Sequence, residues 1–473
     1  MTDWRIEKDF LGEVKIPKER YWGIHTQRAL NNFPYNNKKI PFEFIQGIVY
    51  VKKAAILTNW ELEFIDDKIK DALILACDDI LEGNLKEEFP LDILQGGAGT
   101  SLNMNINEVL ANRALEILGY EKGRYDIIHP IETVNKNQST NDVVPTGLRV
   151  ASLFLLDKLS EKIAKLQGAF QVKEKEFTKI LKIGRTELQS AVPITLGMEF
   201  SGYSEAISRD RWRVWKSQER IRVSNLGGTA IGTGIAADRD YIYLVIEKLR
   251  ELTNLNISRA ENLIGQTAFI DDFVEVSGIL KAHASNLIKI SNDLRLLNLL
   301  GEIKLPPRQT GSSIMPSKIN PVILESIIQS GIKVISNDKI ITETASFSTL
   351  QIIEFLPLLG STMIESLKML IVANEILTDY VLEIKANEKK CLENLINSPT
   401  LITLFIPIIG YRKAEELIKE YYNTQTNISI GEFFKQKLGE EVFNRVLDPY
   451  YITSLGYRRD LIEKLKQNLK NNI

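Results

Sequence analysis

Apolar residues recur every three or four positions through much of the middle of the chain. One series consists of Val150, Leu153, Leu156, Leu159, Ile163, Leu166 and Phe170, with charged residues between its members. This spacing predicts an amphipathic helix. Similar patterns run from about Asp272 to Leu300, from Pro321 to about Ser346 and from about Gln351 to Lys389. Several of these segments approach or exceed about 25 residues, which favours a bundle of extended helices.

Many of these predicted helices are apolar on more than one face, so they need packing partners on several sides. The pattern therefore favours a large bundle that is shared between subunits. From about Ile396 the chain changes to shorter helices, which are separated by Pro407, Gly410, Gly431, Gly439 and Pro449. We predict a mainly all-α protein with three domains: 1–138 at the N-terminus, 139–396 as the central long-helix bundle, and 397–473 as a small helical domain.

The charge and cysteine content exclude several classes of partner. The 473 residues carry a formal net charge of −2 without an acidic or basic block, which gives no electrostatic basis for binding nucleic acid or an anionic membrane. The first residues lack a signal core, and the most apolar run, Leu401 to Ile409, is only about half a membrane span. Cys77 and Cys391 have no metal-like spacing, so we expect buried or inert thiols in a cytoplasmic protein.

Three separated segments are rich in small hydroxyl and amide residues. They are GGAGTSLNMN at 96–105, NKNQSTND at 135–142 and GSSIMPSKINP at 311–321. Ser, Thr and Asn supply neutral donors for a carboxylate whose charge grows during a reaction, and glycines expose backbone N–H groups. Lys318 adds a fixed positive charge for a second carboxylate. One such run would indicate a loop or a helix cap, but three of them, with GRTELQ at 184–189, favour one composite site for a small dianion.

The segment 311–321 resembles the signature loop of the aspartase/fumarase superfamily. Further matches are RIEKDFLGE at 5–13, YWGIHTQRA at 21–29, NLGGTAIGTG at 225–234 and IIGY at 408–411, in the family's order over nearly the whole chain. The resemblance implies a homotetramer with a core of about twenty helices and active sites formed by three subunits. It implies no redox cofactor and no obligatory catalytic metal, although a divalent cation stimulates some members.

Three local sequence motifs are similar to those of the aspartase branch rather than to those of class II fumarases. QGGAGTS at 95–101 replaces the usual TGSGTQ run of fumarases, Thr140 replaces their second Ser, and Val322 replaces their Thr. The resemblance therefore implies the reversible elimination of ammonia from L-aspartate, an amino diacid, to give fumarate through an enediolate. The alternatives are a class II fumarate hydratase and an ammonia-lyase for another amino diacid or a diamino acid. A catalytically silent paralogue would be expected to lack Ser312, Lys318 or Asn320, and all three are present.

The resemblance also implies roles for individual residues. Ser312 is the expected general base, acting as an alkoxide that its loop backbone stabilises. The β-carboxylate and its enediolate would be held by Thr100, Ser139, Thr140 and the Ser313 backbone, the α-carboxylate by Thr186, Lys318 and Asn320, and the amino group by Asn141. The loop is expected to close as a lid hinged at Gly301 and Gly311. Ile314 and Met315 would form the apolar surface of that lid, with ordinary packing as the alternative.

Glu187 is the largest departure from the family pattern, because members carry His or Gln at this position near the leaving group. A carboxylate pairs directly with an ammonium, which favours ammonia over water as the leaving group. It would also suit a substrate with a larger or second amine. The alternative is that Glu187 pairs with a nearby Arg or Lys and does not meet substrate. No histidine falls where the family uses a catalytic one, and we interpret His129 as a structural residue. Ser317 stands where the signature loop usually has Gly.

Overall fold

The computed structural model describes residues 3–36, 38–424 and 427–471, and most of them are helical, as the predicted fold class requires. The helices are α1 (Ile24–Asn32), α2 (Phe42–Glu61), α3 (Asp67–Leu81), α4 (Thr100–Ile117), α5 (Thr140–Glu176), α6 (Leu196–Ile221), α7 (Arg239–Thr253), α8 (Leu263–Ala268), α9 (Asp271–Leu299), α10 (Val322–Ser346), α11 (Leu356–Leu382), α12 (Glu388–Ile396), α13 (Ile406–Ile409), α14 (Tyr411–Asn423), α15 (Ile430–Leu438), α16 (Glu440–Val446), α17 (Pro449–Thr453) and α18 (Arg459–Asn471). Short 3-10 segments lie at Lys86–Glu88 and Pro399–Phe405, and a π-helical turn at Pro130–Val134.

The long apolar periodicities correctly predict four long helices. α5 spans 37 residues, α9 spans 29, α10 spans 25 and α11 spans 27. The apolar series that begins at Val150 is buried along α5, because its spacing places every member on the same side of the helix. The last segment is shorter than predicted: α11 ends at Leu382, and a two-residue strand separates it from α12.

Strands occur only as two-stranded pairs within the described residues. The pairs are β1 (Trp4–Asp9) with β2 (Gly12–Pro17), β3 (Leu181–Thr186) with β4 (Gln189–Thr195), β5 (Val223–Ser224) with β6 (Ser258–Arg259), and β7 (Ile303–Lys304) with β8 (Lys385–Ala386). The β5–β6 pair is parallel and the other three are antiparallel.

The chain divides into two compact units, each assembled from three stretches. The first unit contains Met1–Glu161, Trp212–Ser285 and Ser330–Val372, and the second contains Lys162–Arg211, Asn286–Gln329 and Ala373–Ile473. Within the second unit, the short C-terminal helices share an apolar core that includes Phe405, Phe434 and Val442. The three-domain division at residues 138 and 396 stays a prediction.

One described helix, α11, is long and apolar enough to cross a membrane by length and composition. Of the most apolar 18-residue stretch of α11, 72% is buried inside the protein. The core helix of a globular protein has the same length, composition and burial, so α11 gives only weak evidence for a membrane span. The segments Glu388–Ile396 and Pro399–Ile409 meet the same criterion only when they are taken together, and they are bent by 81°.

Candidate active site

The first polar segment ends where helix α4 begins. Gly97, Ala98 and Gly99 have φ values of 85°, 55° and 88°, so three successive left-handed residues turn the chain into the helix. Thr100 is the first residue of α4, and its side chain is exposed. The positive end of the helix dipole at this point favours an anion beside the Thr100 hydroxyl.

The second polar segment begins helix α5 through reciprocal capping bonds. Ser139 Oγ accepts a hydrogen bond from the backbone N–H of Asn141 at 3.2 Å, and Asp142 Oδ1 accepts one from the backbone N–H of Ser139 at 3.0 Å. This arrangement resembles a capping box. Because Ser139 Oγ is an acceptor here, its own hydrogen can be donated to a ligand. The capping role that a single such segment suggested is therefore compatible with ligand binding.

Asn103 on α4 connects the starts of the two helices. Its Nδ2 donates to Thr140 Oγ1 at 3.1 Å and to Asn135 Oδ1 at 3.1 Å. Thr140 therefore accepts at its oxygen and keeps its hydroxyl hydrogen for a ligand. Thr100 lies three residues before Asn103 on α4, so the two share one face of the helix. The first unit therefore places the hydroxyl groups of Thr100, Ser139 and Thr140, which are predicted to bind the β-carboxylate, at two neighbouring helix starts.

Asn141 is oriented by two contacts with the segment that follows β5. Its Nδ2 donates to the backbone oxygen of Ala230 at 2.7 Å, and its backbone oxygen accepts from Asn225 Nδ2 at 2.9 Å. With Nδ2 used in this way, Oδ1 is the atom that can accept from an amino group. This orientation suits the role predicted for Asn141.

Thr186 and Glu187 lie at the tip of the β3–β4 hairpin in the second unit. Thr186 pairs with Gln189, so Glu187 and Leu188 alone form the turn. Their φ values are 50° and 62°, the left-handed pair that a type I′ hairpin turn requires. The Glu187 side chain is exposed, and it forms no ion pair with any other described residue. The alternative that an Arg or Lys of the same chain holds Glu187 therefore gains no support.

Strand β3 of the same hairpin is fixed by ion pairs to a buried carboxylate. Glu302 pairs with Lys182 at 2.9 Å and with Arg185 at 2.8 Å, and the Glu302 side chain has no exposed surface. Burial raises the pKa of the Glu302 carboxyl, but the Arg185 hydrogen bond and the Lys182 charge outweigh it, and the net pKa is lowered. A cavity of about 480 Å³ lies beside these groups and includes Glu187 in its lining.

The loop 311–320 is closed by bonds among its own residues. The backbone N–H of Gly311 donates to the Lys318 oxygen at 2.7 Å, and Asn320 Nδ2 donates to the Gly311 oxygen at 3.0 Å. Asn320 therefore uses one of its two amide hydrogens within the loop. Lys318 is exposed and forms no ion pair with another described residue.

Ser312 Oγ receives two backbone hydrogen bonds inside this loop. The backbone N–H of Ile314 donates at 3.2 Å and that of Met315 at 2.9 Å. Two donors directed at one oxygen stabilise negative charge on that oxygen. The Ile314 and Met315 side chains are 85% and 46% exposed, so neither is buried by ordinary packing within the chain.

The predicted site residues fall into both units. Thr100, Ser139, Thr140 and Asn141 lie in the first unit, and Thr186, Glu187, Ser312, Ser313, Met315, Lys318 and Asn320 lie in the second. Sequence reasoning missed Asn103 and the buried Lys52, which both contact the second polar segment. A lysine within the apolar stretch of α2 was a usable signal for Lys52, and Asn103 lies in the polar segment 96–105, although no role was predicted for it.

The remaining polar and sulfur groups have structural environments. His129 Nδ1 accepts from the backbone N–H groups of Ile131 and Glu132, which caps the π-helical turn and confirms its structural interpretation. Cys77 and Cys391 are free and buried, as predicted, and burial raises the pKa of both thiols. Among the described residues, no group of three or more His, Cys, Asp and Glu side chains could hold a metal ion.

Comparison with known proteins identifies the family. A family model described as lyase matches residues 12–336. An aspartate ammonia-lyase from a Bacillus species is 42% identical over 96% of this chain and 98% of that protein. The chain belongs to the aspartase/fumarase superfamily. A further aspartate ammonia-lyase of this superfamily, from Helicobacter pylori, is 43% identical over 94% of this chain and 97% of that protein.

Solved structures of the superfamily share the fold. Fumarate lyase:delta crystallin from Brucella melitensis, bound to cobalt, gives a TM-score of 0.90 at 41% identity, covering 94% of this chain and 99% of that chain. Class II fumarase from Schistosoma mansoni gives a TM-score of 0.89 at 30% identity, covering 96% of this chain and 100% of that chain. The mainly helical fold predicted from the superfamily signature is therefore confirmed.

Proposed function

We propose that this lyase is an L-aspartate ammonia-lyase, which eliminates ammonia from L-aspartate to give fumarate. The observation that carries the proposal is the 42–43% identity to aspartate ammonia-lyases over at least 94% of the chain. The solved class II fumarase is less similar, at 30% identity over a comparable length. The hydratase is therefore the second candidate.

The proposed base is Ser312, which removes the proton from Cβ. That proton is a weak acid, and a serine hydroxyl is a poor base, so the reaction needs a stabilised alkoxide. The N–H groups of Ile314 and Met315, both directed at Ser312 Oγ, support this assignment because they would lower the energy of the alkoxide. Closure of the loop as a lid would bring Ser312 to the substrate and exclude water.

The proposed receptor for the β-carboxylate consists of Thr100, Ser139, Thr140 and the Ser313 backbone. As the proton leaves, negative charge grows on this carboxylate, and each well-placed donor can contribute about 3 kcal/mol to the transition state. The acceptor roles already filled at Ser139 Oγ and Thr140 Oγ1 favour donation of both hydroxyl hydrogens. Thr186, Lys318 and Asn320 would hold the α-carboxylate, with Met315 against the substrate.

The proposed leaving group is ammonia, released from the substrate ammonium as the C–N bond breaks, and Asn141 and Glu187 would face this ammonium. A carboxylate forms an ion pair with an ammonium but accepts only one uncharged hydrogen bond from a hydroxyl. The exposed Glu187 side chain at the hairpin tip supports this contact with substrate.

We further propose a cytoplasmic homotetramer whose active sites combine residues of three subunits. The distribution of site residues over two units of the chain is compatible with such assembly. The proposed chemistry uses proton transfer and charge stabilisation alone, so it requires no redox cofactor and no obligatory metal. Activation by a divalent cation is compatible with it.

The proposal is tested by measuring fumarate formation in the ultraviolet with the purified protein, using L-aspartate in one assay and L-malate in another. We expect turnover of L-aspartate alone. Turnover of L-malate alone would replace the proposal with a fumarate hydratase. No turnover of either L-aspartate or L-malate would mean that Glu187 selects another amine. Diamino and N-substituted amino acids would then be the substrates to assay.

A further inference from the structure

Lys52 is a fully buried basic residue in the apolar helix α2. Its relative exposure is 0%. Its Nζ donates to Asn135 Oδ1 at 2.8 Å and to Gln138 Oε1 at 2.9 Å. Both acceptors are neutral amides, and no described carboxylate forms an ion pair with Lys52. Burying a cation without an ion pair costs stability, so packing alone gives no reason for a lysine at this position.

The amides that Lys52 holds lie directly before the Ser139–Asn141 segment. Asn135 Oδ1 accepts from Lys52 and also from the Nδ2 groups of Asn103 and Asn107, at 3.1 Å and 3.2 Å. Asn103 Nδ2 in turn donates to Thr140 Oγ1. A continuous set of hydrogen bonds therefore runs from Lys52 through Asn135 and Asn103 to the Thr140 hydroxyl.

Gln138 gives Lys52 a second connection to the same segment, because it immediately precedes Ser139. Gln138 Nε2 donates to the backbone oxygens of Val134 and Lys136, at 2.9 Å and 3.1 Å. With its nitrogen used in this way, Gln138 Oε1 faces Lys52. The lysine therefore fixes the orientation of two amides and, through them, the backbone that leads to the Ser139 hydroxyl.

The other charged group in this region is Asp142, which is also fully buried. Its carboxylate accepts from the backbone N–H groups of Ser139, Gly227 and Thr229. Burial lowers the pKa of Lys52 to about 7, and the negative charge of Asp142 acts in the opposite direction. The Cys77 thiol is the second titratable group that acts on Lys52.

We propose that Lys52 is a positioning residue for the elimination, which orients Asn135 and Gln138 so that the Ser139 and Thr140 hydroxyls donate to the β-carboxylate as its charge grows. The inference rests on the proposed function. Since the substrate gains charge on this carboxylate only during proton removal, Lys52 acts more on the transition state than on substrate binding.

The test compares Lys52→Met with Lys52→Gln and with Lys53→Met as the matched control. Lys53 is the neighbouring residue on α2 and pairs with Asp78 at 2.5 Å. We expect Lys52→Met to lower kcat about 10- to 100-fold, as losing a supporting hydrogen-bond partner does in metal sites. KM should change less than about 3-fold, and the unfolding temperature should not fall. Lys52→Gln should keep more activity than Lys52→Met because its amide can still donate to Asn135. Lys53→Met should leave kcat unchanged.

Asn103→Leu is the second variant, and it tests the same hydrogen-bond connection to Thr140 if Lys52→Met does not fold. It removes the donor to Thr140, and we expect kcat to fall about 10-fold with KM little changed. An active wild type whose kcat is unaltered by Lys52→Met or by Asn103→Leu would overturn this inference alone. Equal kcat values for Lys52→Met and Lys52→Gln would also overturn it. A wild type that converts neither L-aspartate nor L-malate would instead overturn the proposed function, and this inference with it.

Discussion

The surroundings of Thr140 and of Ser312 differ in where their hydrogen bonds go. Thr140 and its neighbours bond to side chains and backbone from other parts of the first unit, including Asn103 on α4 and Ala230 after β5. Among the described residues, the hydrogen bonds of the Ser312 loop stay within the short segment 311–322. Its side chains are largely exposed, whereas Lys52 and Asp142 beneath the Thr140 region are fully buried.

The Thr140 region is therefore held in place by the rest of its unit, whereas the Ser312 loop is organised by its own hydrogen bonds. The Thr140 region cannot move without breaking bonds to several helices, so its donors keep their geometry when no substrate is bound. Under the proposed lid closure, the loop would carry the Ile314 and Met315 N–H groups with it, so both would remain directed at Ser312 Oγ while the segment moves. Few contacts to the rest of the chain are also what a low-stability, mobile element requires.

The largest expected effect comes from removing the proposed base. Ser312→Ala should lower kcat by about 10³-fold or more, because loss of a general base typically costs two to four orders of magnitude. The circular dichroism spectrum should be unchanged, since Ser312 Oγ bonds only within its own exposed loop. Ser317→Ala in the same loop is the matched control and should retain activity. Comparable activity of the Ser312 and Ser317 variants would remove Ser312 from the mechanism.

The next effect tests whether the two regions meet across subunits. Thr140→Ala should lose about 10²- to 10³-fold in kcat through loss of one donor. When Thr140→Ala and Ser312→Ala chains are unfolded together in equal amounts and refolded, random mixing should restore about a quarter of the wild-type sites. The measurement is fumarate formation by the mixture and by each parent refolded alone. If the mixture is as inactive as the parent variants, Thr140 and Ser312 of each active site come from the same subunit.

The smallest expected effect concerns the closure of the loop upon itself. A Cβ on Gly311 would lie 2.9 Å from Asn320 N and 2.8 Å from Asn320 Cγ, so Gly311→Ala must displace the bond that closes the loop. We expect kcat to fall about 10-fold because Ser312 is misplaced by a fraction of an ångström. Gly96→Ala is the control, since a Cβ there would meet only the Phe33 ring at 3.6 Å. Equal kcat values for the two variants would show that this closure does not position Ser312.

The sequence predicts the fold well where a local pattern determines the structure. The periodicity of α5 predicts its buried face, and Gly410 and Gly439 lie between short C-terminal helices as predicted. Gly431 does not separate two helices, because it lies in the first turn of α15. The extent of α11 is overestimated because apolar periodicity continues across β8 into α12, and nothing local distinguishes a helix from a two-residue strand there. The superfamily resemblance, not periodicity, supplies the site residues.

The supporting contacts of the site were beyond prediction because they join residues far apart in sequence. Lys52 is 83 residues from Asn135, and Lys182 is 120 residues from Glu302 by their numbers. The apolar surroundings of Lys52 along α2 signal that it is buried, but the residues that its amine contacts are set by the packing of distant segments. The assignment of roles to Glu187 and Ser312 stays a prediction until the variants are measured.

The tip of the β3–β4 hairpin is a position at which a side chain can change without altering the contacts that hold the hairpin. Its strands are aligned by their ladder, and β3 is held by the ion pairs of Lys182 and Arg185 with Glu302. The tip residue Glu187 contributes to neither, and any side chain that tolerates the left-handed turn can replace it. Under the proposed contact between Glu187 and the substrate amine, exchange of this one residue would change the leaving group, and a library at position 187 would sample new substrates at little cost in stability.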